Sequence, residues 1–117
     1  GRTFTAAEAF ESGLVARVVP AADLMPEARK RAKEIVDRCA PVSVALMRRM
    51  AWRMLGASHP MEAHRVETRG ILQAGIGPDA KEGVMSFLEK RAPEFPLKVS
   101  SDMPDWHPWW DSAEDDY

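Results

Sequence analysis

Proline and glycine divide this chain into short segments, and within each segment the apolar residues recur at the spacing of an α-helix. The segment between Pro41 and Gly56 is the clearest case, because proline suits the first turn of a helix and glycine commonly ends one. Its broad apolar stripe consists of Val44, Leu46, Met47, Met50, Ala51, Met54 and Leu55. The pattern predicts a helix that is substantially buried.

The first twenty residues predict a short helix followed by a connector. Thr5 and Glu8 have the spacing of a capping box, in which hydroxyl and carboxylate each satisfy a free backbone amide. Gly13 is placed to end a helix over 6–12 in a left-handed conformation. The β-branched residues of 14–19 favour an extended segment, either a connector or an edge strand.

Three further helices are predicted from caps and breakers. One begins at Asp23 and runs to about Cys39, and another runs from Ser58 and Pro60 to about Ala74. Asp79 and Glu82 form a second capping pattern, which opens a helix over 80–91. The chain is therefore predicted to be mainly α, with four to five helices and almost no strand.

Composition narrows the class of protein. The chain has 117 residues, of which 45% are apolar and 29% charged, as in a small soluble domain or part of a larger one. No apolar run approaches the roughly 18 residues that cross a bilayer, and no secretory leader is visible. Cys39 is the single cysteine and cannot form an internal disulfide, which indicates a reduced, cytoplasmic location; we expect it to be a buried small apolar group.

The charge pattern argues against a nucleic-acid partner. The net charge is -2, so the cluster of Arg48, Arg49 and Arg53 beside Trp52 is better explained by pairing with carboxylates of a neighbouring helix or subunit. All basic residues precede Ser100, whereas six acidic residues follow it. We therefore treat 97–117 as a separate acidic, Trp- and Pro-rich tail, which either packs across a neighbouring helix or subunit or remains a flexible acidic tail.

Few residues are spaced as in a metal site or a catalytic motif. His64 and Glu67 are one helical turn apart, but a metal site needs three or four ligands and no further residue completes this one, so no metal is predicted. None of the three histidines lies in a recognisable catalytic motif. No catalytic residue is therefore assigned within this chain.

Two stretches resemble the enoyl-CoA hydratase (crotonase) family. Residues 79–95 read DAKEGVMSFLEKRAPEF, similar to the family's carboxy-terminal helix, in which an acidic residue, Glu-Gly, Phe and Glu-Lys-Arg-x-Pro-x-Phe recur in that order. Residues 6–20 read AAEAFESGLVARVVP, similar to the helix and turn that follow the family's catalytic core. The resemblance covers residues 1 to about 96.

The resemblance implies that the catalytic core lies before this chain. In the family, a spiral of ββα units binds the acyl-CoA thioester and stabilises an enolate with two backbone amides, so Glu8, Glu11, Glu62 and Glu82 inherit no catalytic role. The chain would comprise the end of the core (1–20), a carboxy-terminal helical oligomerisation region (21–96) and the tail (97–117). A homo-oligomer, a trimer or a dimer of trimers, is expected, and the chain alone should be inactive.

The resemblance implies that two residues of this chain bind coenzyme A. The Phe and Lys of the family's Phe-x-Glu-Lys-Arg motif reach the adenosine and phosphate end of coenzyme A, and these correspond to Phe87 and Lys90. Three residues apart on a helix, they would share a face. The alternative is that Phe87 belongs to the core and Lys90 is only solvated.

Coenzyme A is expected as part of the acyl-CoA substrate, with no separate cofactor. The expected activity of the whole enzyme is hydration of a 2-enoyl-CoA through an oxyanion-stabilised enolate. The alternatives are an enoyl-CoA isomerase or another acyl-CoA enzyme of the family, and a non-catalytic helical oligomerisation or interaction module.

Overall fold

The structure, a computed structural model, describes residues 1–108. It contains five α-helices: α1 (Ala6–Glu11), α2 (Leu24–Arg38), α3 (Pro41–Arg53), α4 (Pro60–Ile76) and α5 (Pro78–Leu88). Short 3-10 turns cover Ala21–Asp23 and Met54–Gly56. The described residues include no β-strand, which confirms the mainly α prediction. None of their helices combines the length and apolar character needed to span a bilayer.

The chain divides into two compact units, Gly1–Glu34 and Ile35–Tyr117, with the boundary inside α2. The second unit is described as far as residue 108. The division of the sequence at residues 20 and 96 stays a prediction.

The first unit contains the predicted capping box. The Thr5 hydroxyl accepts a hydrogen bond from the Glu8 amide at 3.2 Å, and the Glu8 carboxylate accepts one from the Thr5 amide at 2.8 Å. Gly13 follows α1 with a φ of +75°, the left-handed conformation that glycine adopts without steric cost. Residues 14–19 form no strand and are a connector.

In the second unit, α3 packs on α4 and α4 packs on α5. Val42 and Leu46 of α3 are buried, and Val44, Met50 and Met54 are half-buried. The prediction of a substantially buried helix is wrong at the outer edge of the stripe, where Met47 is 61% exposed and Leu55 is 78% exposed. The stripe is wider than the face that α4 covers. An apolar groove of about 460 Å³ remains between the two helices, lined by Leu46, Met47, Met50, Met54 and Ile71 among others. We call it the α3–α4 groove.

The region around α2 is more exposed than expected. No residue of α2 is buried, and Cys39, which follows it, is exposed, so the expectation of a buried cysteine is wrong. Asp23 belongs to the 3-10 turn before the helix. The apolar spacing of α2 predicted a helix correctly, but spacing alone does not specify what covers the apolar face.

The fourth helix begins with a cap that the sequence did not reveal. Nδ1 of His59 accepts a hydrogen bond from the Met61 amide at 3.1 Å, while the Ser58 hydroxyl donates to Glu62 at 2.6 Å. The helix continues through Gly75 to Ile76, two residues beyond the predicted end. Gly75 does not end the helix, since a single glycine lowers helix stability only modestly. The helix ends before Gly77 and Pro78, which together form a stronger break.

The tail folds back onto the helices as far as it is described. The indole N–H of Trp106 donates to the side-chain oxygen of Gln73 in α4 at 2.7 Å, and Pro104 is buried. This contact is the one expected where the tail packs across a neighbouring helix. Trp109, Trp110 and the acidic end of the tail lie outside the described residues.

Candidate functional site

The candidate site lies where α5 ends and the chain turns back. The helix ends at Leu88, and two hydrogen bonds close the turn: the Lys90 amide donates to the Phe87 carbonyl at 3.2 Å and the Arg91 amide donates to the Ser86 carbonyl at 3.0 Å. This pair of bonds is the Schellman motif, which requires a left-handed residue just after the helix cap. Lys90 occupies that position with a φ of +55°.

Lys90 therefore lies outside the helix, and the prediction that a helix over 80–91 places Phe87 and Lys90 on one face is wrong. The helical pattern could not reveal this, because glycine is the usual residue at this position and no glycine marks the end of α5. The backbone hydrogen bond still holds the two residues in one turn. Phe87 is 81% exposed, so it is not a core residue of the described chain, and Lys90 is exposed as well.

A cluster of charged side chains surrounds this turn. The Arg91 guanidinium donates to both carboxylate oxygens of Glu82, at 2.5 and 2.9 Å, and its Nε donates to Glu89 at 2.6 Å. Glu82 also accepts a hydrogen bond from the Glu94 amide at 2.7 Å. We call these four residues the Arg91 cluster; it connects the middle of α5 to the segment that follows the turn.

Two other positions of the motif attach the same segment to α5. Asp79, only 7% exposed, accepts a hydrogen bond from the Leu97 amide at 3.1 Å. The Phe95 ring lies over Gly83, where an added Cβ atom would meet the ring at 3.8 Å, an ordinary van der Waals distance. Asp79 and Glu82 were predicted to cap α5, but the helix begins at Pro78 and both carboxylates bind residues that follow it.

Pairing lowers the basicity of the carboxylates in this region. Hydrogen bonds from the Arg91 side chain and the Glu94 amide lower the pKa of Glu82 from 4.5 to about 2, and hydrogen bonds to Glu82 and Glu89 raise the pKa of Arg91. In the first unit, hydrogen bonds from the Arg2 side chain and the Thr5 amide lower the pKa of Glu8 to about 2 as well. A general base is most efficient when its pKa lies near the working pH, so neither carboxylate is suited to that role.

The other acidic and histidine residues considered from the sequence form no catalytic or metal-binding group within the described residues. The Ser58 hydroxyl lowers the pKa of Glu62 in the first turn of α4, and Glu11 lies exposed at the end of α1. Across residues 1–108, no group of three or more histidine, cysteine or acidic residues is arranged to hold a metal ion, and His64 with Glu67 does not become one.

Acid should release the segment after the turn. Because the folded-state pKa of Glu82 is depressed, its contribution to folding is fully present above pH 4.5 and is lost as the pH falls from 4.5 towards 2. We expect the protection of the Glu94 amide from hydrogen exchange, corrected for intrinsic rates, to fall across this window. Glu82→Gln should remove most of the pH dependence, and unchanged protection down to pH 2 in the parent chain would contradict the assignment.

The comparisons with known proteins agree on one protein family. The family model described as enoyl-CoA hydratase/isomerase matches residues 1–98. A protein named probable enoyl-CoA hydratase from Mycobacterium bovis is 45% identical over 95 residues, covering 81% of this chain and 36% of the relative. The carnitinyl-CoA dehydratase of Proteus mirabilis is 34% identical over 99 residues, covering 81% of this chain and 37% of the relative.

A solved structure agrees with the sequence matches. The crystal structure of a probable enoyl-CoA hydratase/isomerase from Mycobacterium abscessus superposes with a TM-score of 0.76 at 31% identity. The matched region covers 84% of this chain and 40% of that structure. The chain thus spans little more than a third of the length of these relatives.

Proposed function

The chain belongs to the enoyl-CoA hydratase/isomerase family, and we propose that it is the carboxy-terminal helical portion of an enzyme that acts on acyl-CoA thioesters. The preferred reaction is the hydration of a 2-enoyl-CoA through an oxyanion-stabilised enolate. The acid and base groups and the thioester-binding amides would be supplied by a core outside this chain. The all-helical architecture of the described residues and the motif in 79–95 support this assignment.

Within that enzyme, this chain would bind the nucleotide end of coenzyme A. The observation that carries the proposal is an exposed aromatic ring, Phe87, tied by a backbone hydrogen bond to an exposed lysine, Lys90. An aromatic face can stack on an adenine, and an ammonium group can form a charge-assisted hydrogen bond to a phosphate. Coenzyme A would enter as part of the substrate, so no separate cofactor is required.

Neighbouring reactions of the family are alternatives, because the same nucleotide contact serves any acyl-CoA. An enoyl-CoA isomerase would use the same site with different acids in the core. The α3–α4 groove supports a further candidate, a non-catalytic oligomerisation or interaction module. It is also compatible with a homo-oligomeric enzyme, for which the proposed form is a trimer or a dimer of trimers.

The test uses the enzyme that contains this chain, with Lys90→Ala and Phe87→Ala. We expect Lys90→Ala to weaken binding of an acyl-CoA about tenfold, which corresponds to about 1.4 kcal/mol, because a hydrogen bond or ion pair to phosphate is lost. The loss should shrink at high salt, since screening already weakens an exposed contact in the parent. Phe87→Ala should weaken binding without that salt dependence, because it removes apolar contact and stacking.

An acyl-pantetheine thioester, which lacks the nucleotide, is the control substrate. Both variants should handle it as the parent does. If Lys90→Ala impairs the two substrates equally, or impairs neither, Lys90 is a folding residue or a plain surface charge and the nucleotide assignment is wrong.

A further inference from the structure

We propose that Arg91 and Glu82 are positioning residues, which hold Lys90 in the left-handed conformation that presents it to the nucleotide. This inference rests on the proposed function of Lys90. It adds a role for two motif residues that contact each other and need not touch the substrate.

The backbone of Lys90 adopts a conformation that lysine seldom takes. A residue with a β-carbon is disfavoured at a positive φ, so a lysine stays there only where its surroundings enforce the conformation. Glycine at this position would adopt the turn without help, but it would supply no ammonium group. A turn that carries lysine therefore needs support from its neighbours.

Arg91 and Glu82 provide this support for the turn. Arg91 is the residue directly after Lys90, and its amide forms the longer-range bond of the Schellman motif, to the Ser86 carbonyl. Both terminal nitrogens of its guanidinium donate to Glu82, whose side chain is only 17% exposed. Because Glu82 lies in the body of α5, this bidentate contact fixes the residue after the turn relative to the helix before it.

The contacts around the turn require an arginine at position 91 and a glutamate at position 82. Glu82 uses its carboxylate twice, for the Arg91 guanidinium and for the Glu94 amide, so the chain on the far side of the turn is fixed at two points. A lysine in place of Arg91 would keep the charge but could not form the planar two-nitrogen contact, and its other bond, to Glu89, would compete for a single ammonium group. Weakening the cluster should therefore allow Lys90 to leave the left-handed region.

The experiment measures the preference for an acyl-CoA over the matching acyl-pantetheine, as the ratio of kcat/KM values, in the enzyme that contains this chain. Arg91→Lys is expected to lower the preference about fivefold, in the range that residues acting through a neighbour produce. Arg31→Lys is the matched control, because Arg31 also pairs with two carboxylates, Glu27 and Glu34, but lies on α2; its preference should equal that of the parent.

A double variant separates positioning from direct contact. If Arg91 acts through Lys90, then Lys90→Ala with Arg91→Lys should show the same preference as Lys90→Ala alone. Multiplying effects would mean that Arg91 contacts the nucleotide itself and would overturn the inference. Equal losses on both substrates in Arg91→Lys would also overturn it, because they indicate a purely structural role.

The remaining outcomes distinguish failure of the proposed function from failure of the positioning role. If Arg91→Lys fails to fold, Glu82→Gln serves in its place, since an amide retains an oxygen that can accept from Glu94 while the charged partner of Arg91 is lost; an unchanged preference in this variant would overturn the inference. If Lys90→Ala leaves the preference unchanged, the proposed function of Lys90 fails and this inference fails with it. A selective effect of Lys90→Ala without one in Arg91→Lys leaves the proposed function standing and overturns only the positioning role.

Discussion

The purified 117-residue chain is expected to leave a short-chain 2-enoyl-CoA unchanged, whereas the proposed longer enzyme is expected to hydrate the same substrate. Hydration needs a general base whose pKa lies near the working pH to activate water. It also needs a pair of hydrogen-bond donors to stabilise the enolate oxygen. The carboxylates of Glu8 and Glu82 are held at a pKa of about 2, so they are poor bases at neutral pH. The loss of the enoyl absorbance over time measures the reaction.

The control for inactivity is a heat-treated sample of the same chain. The two rates should coincide at a concentration at which the whole enzyme completes the reaction. Turnover above the heat-treated control would show that a catalytic pair lies within this chain, and it would contradict the placement of the acid and base in a separate core.

Local sequence signals predicted the helices well because they depend on neighbours in the chain. The capping box of Thr5 and Glu8 and the left-handed Gly13 both appear as predicted. The same signal misled at Asp79 and Glu82, whose spacing is also that of a capping box. There the carboxylates bind Leu97, Arg91 and Glu94, and no local rule connects residues 9 to 18 positions apart.

The candidate site was identified by resemblance rather than by spacing. The motif indicated Phe87 and Lys90, and both are exposed, but the helix geometry assumed for them was wrong because Lys90 closes a Schellman motif. A lysine at this position carries no local signal for a turn, and Arg91 was not identified as its support. Contacts across a turn depend on the folded arrangement, so the positioning residues became visible only in the structure.

Burial was predicted least well, since it depends on what surrounds a helix rather than on its own residues. The stripe of α3 was expected to be covered, yet Met47 and Leu55 are exposed, and the apolar residues of α2 are exposed as well. Exposed apolar helix faces of this kind are typical of interaction sites. We therefore expect these faces to be covered by protein in the working enzyme.

The isolated chain is accordingly expected to self-associate through the α3–α4 groove and to bind a hydrophobic dye. Placing a charge in an apolar contact is costly, so Met47→Glu should weaken the association by about tenfold or more and reduce dye binding. Sedimentation equilibrium over a range of concentrations measures the association constant, and dye fluorescence reports the exposed apolar surface.

Met25→Glu is the matched control, because Met25 has a similar exposure, 54% against 61% for Met47, but lies in the first unit on α2. It should leave the association constant near that of the parent if the groove is the contact. A parent chain that is monomeric and binds no dye would contradict the prediction. An equal effect of the two substitutions would show that the association does not depend specifically on the groove. Net charge, to which each substitution adds one negative charge, or the exposed face of α2 would then control it.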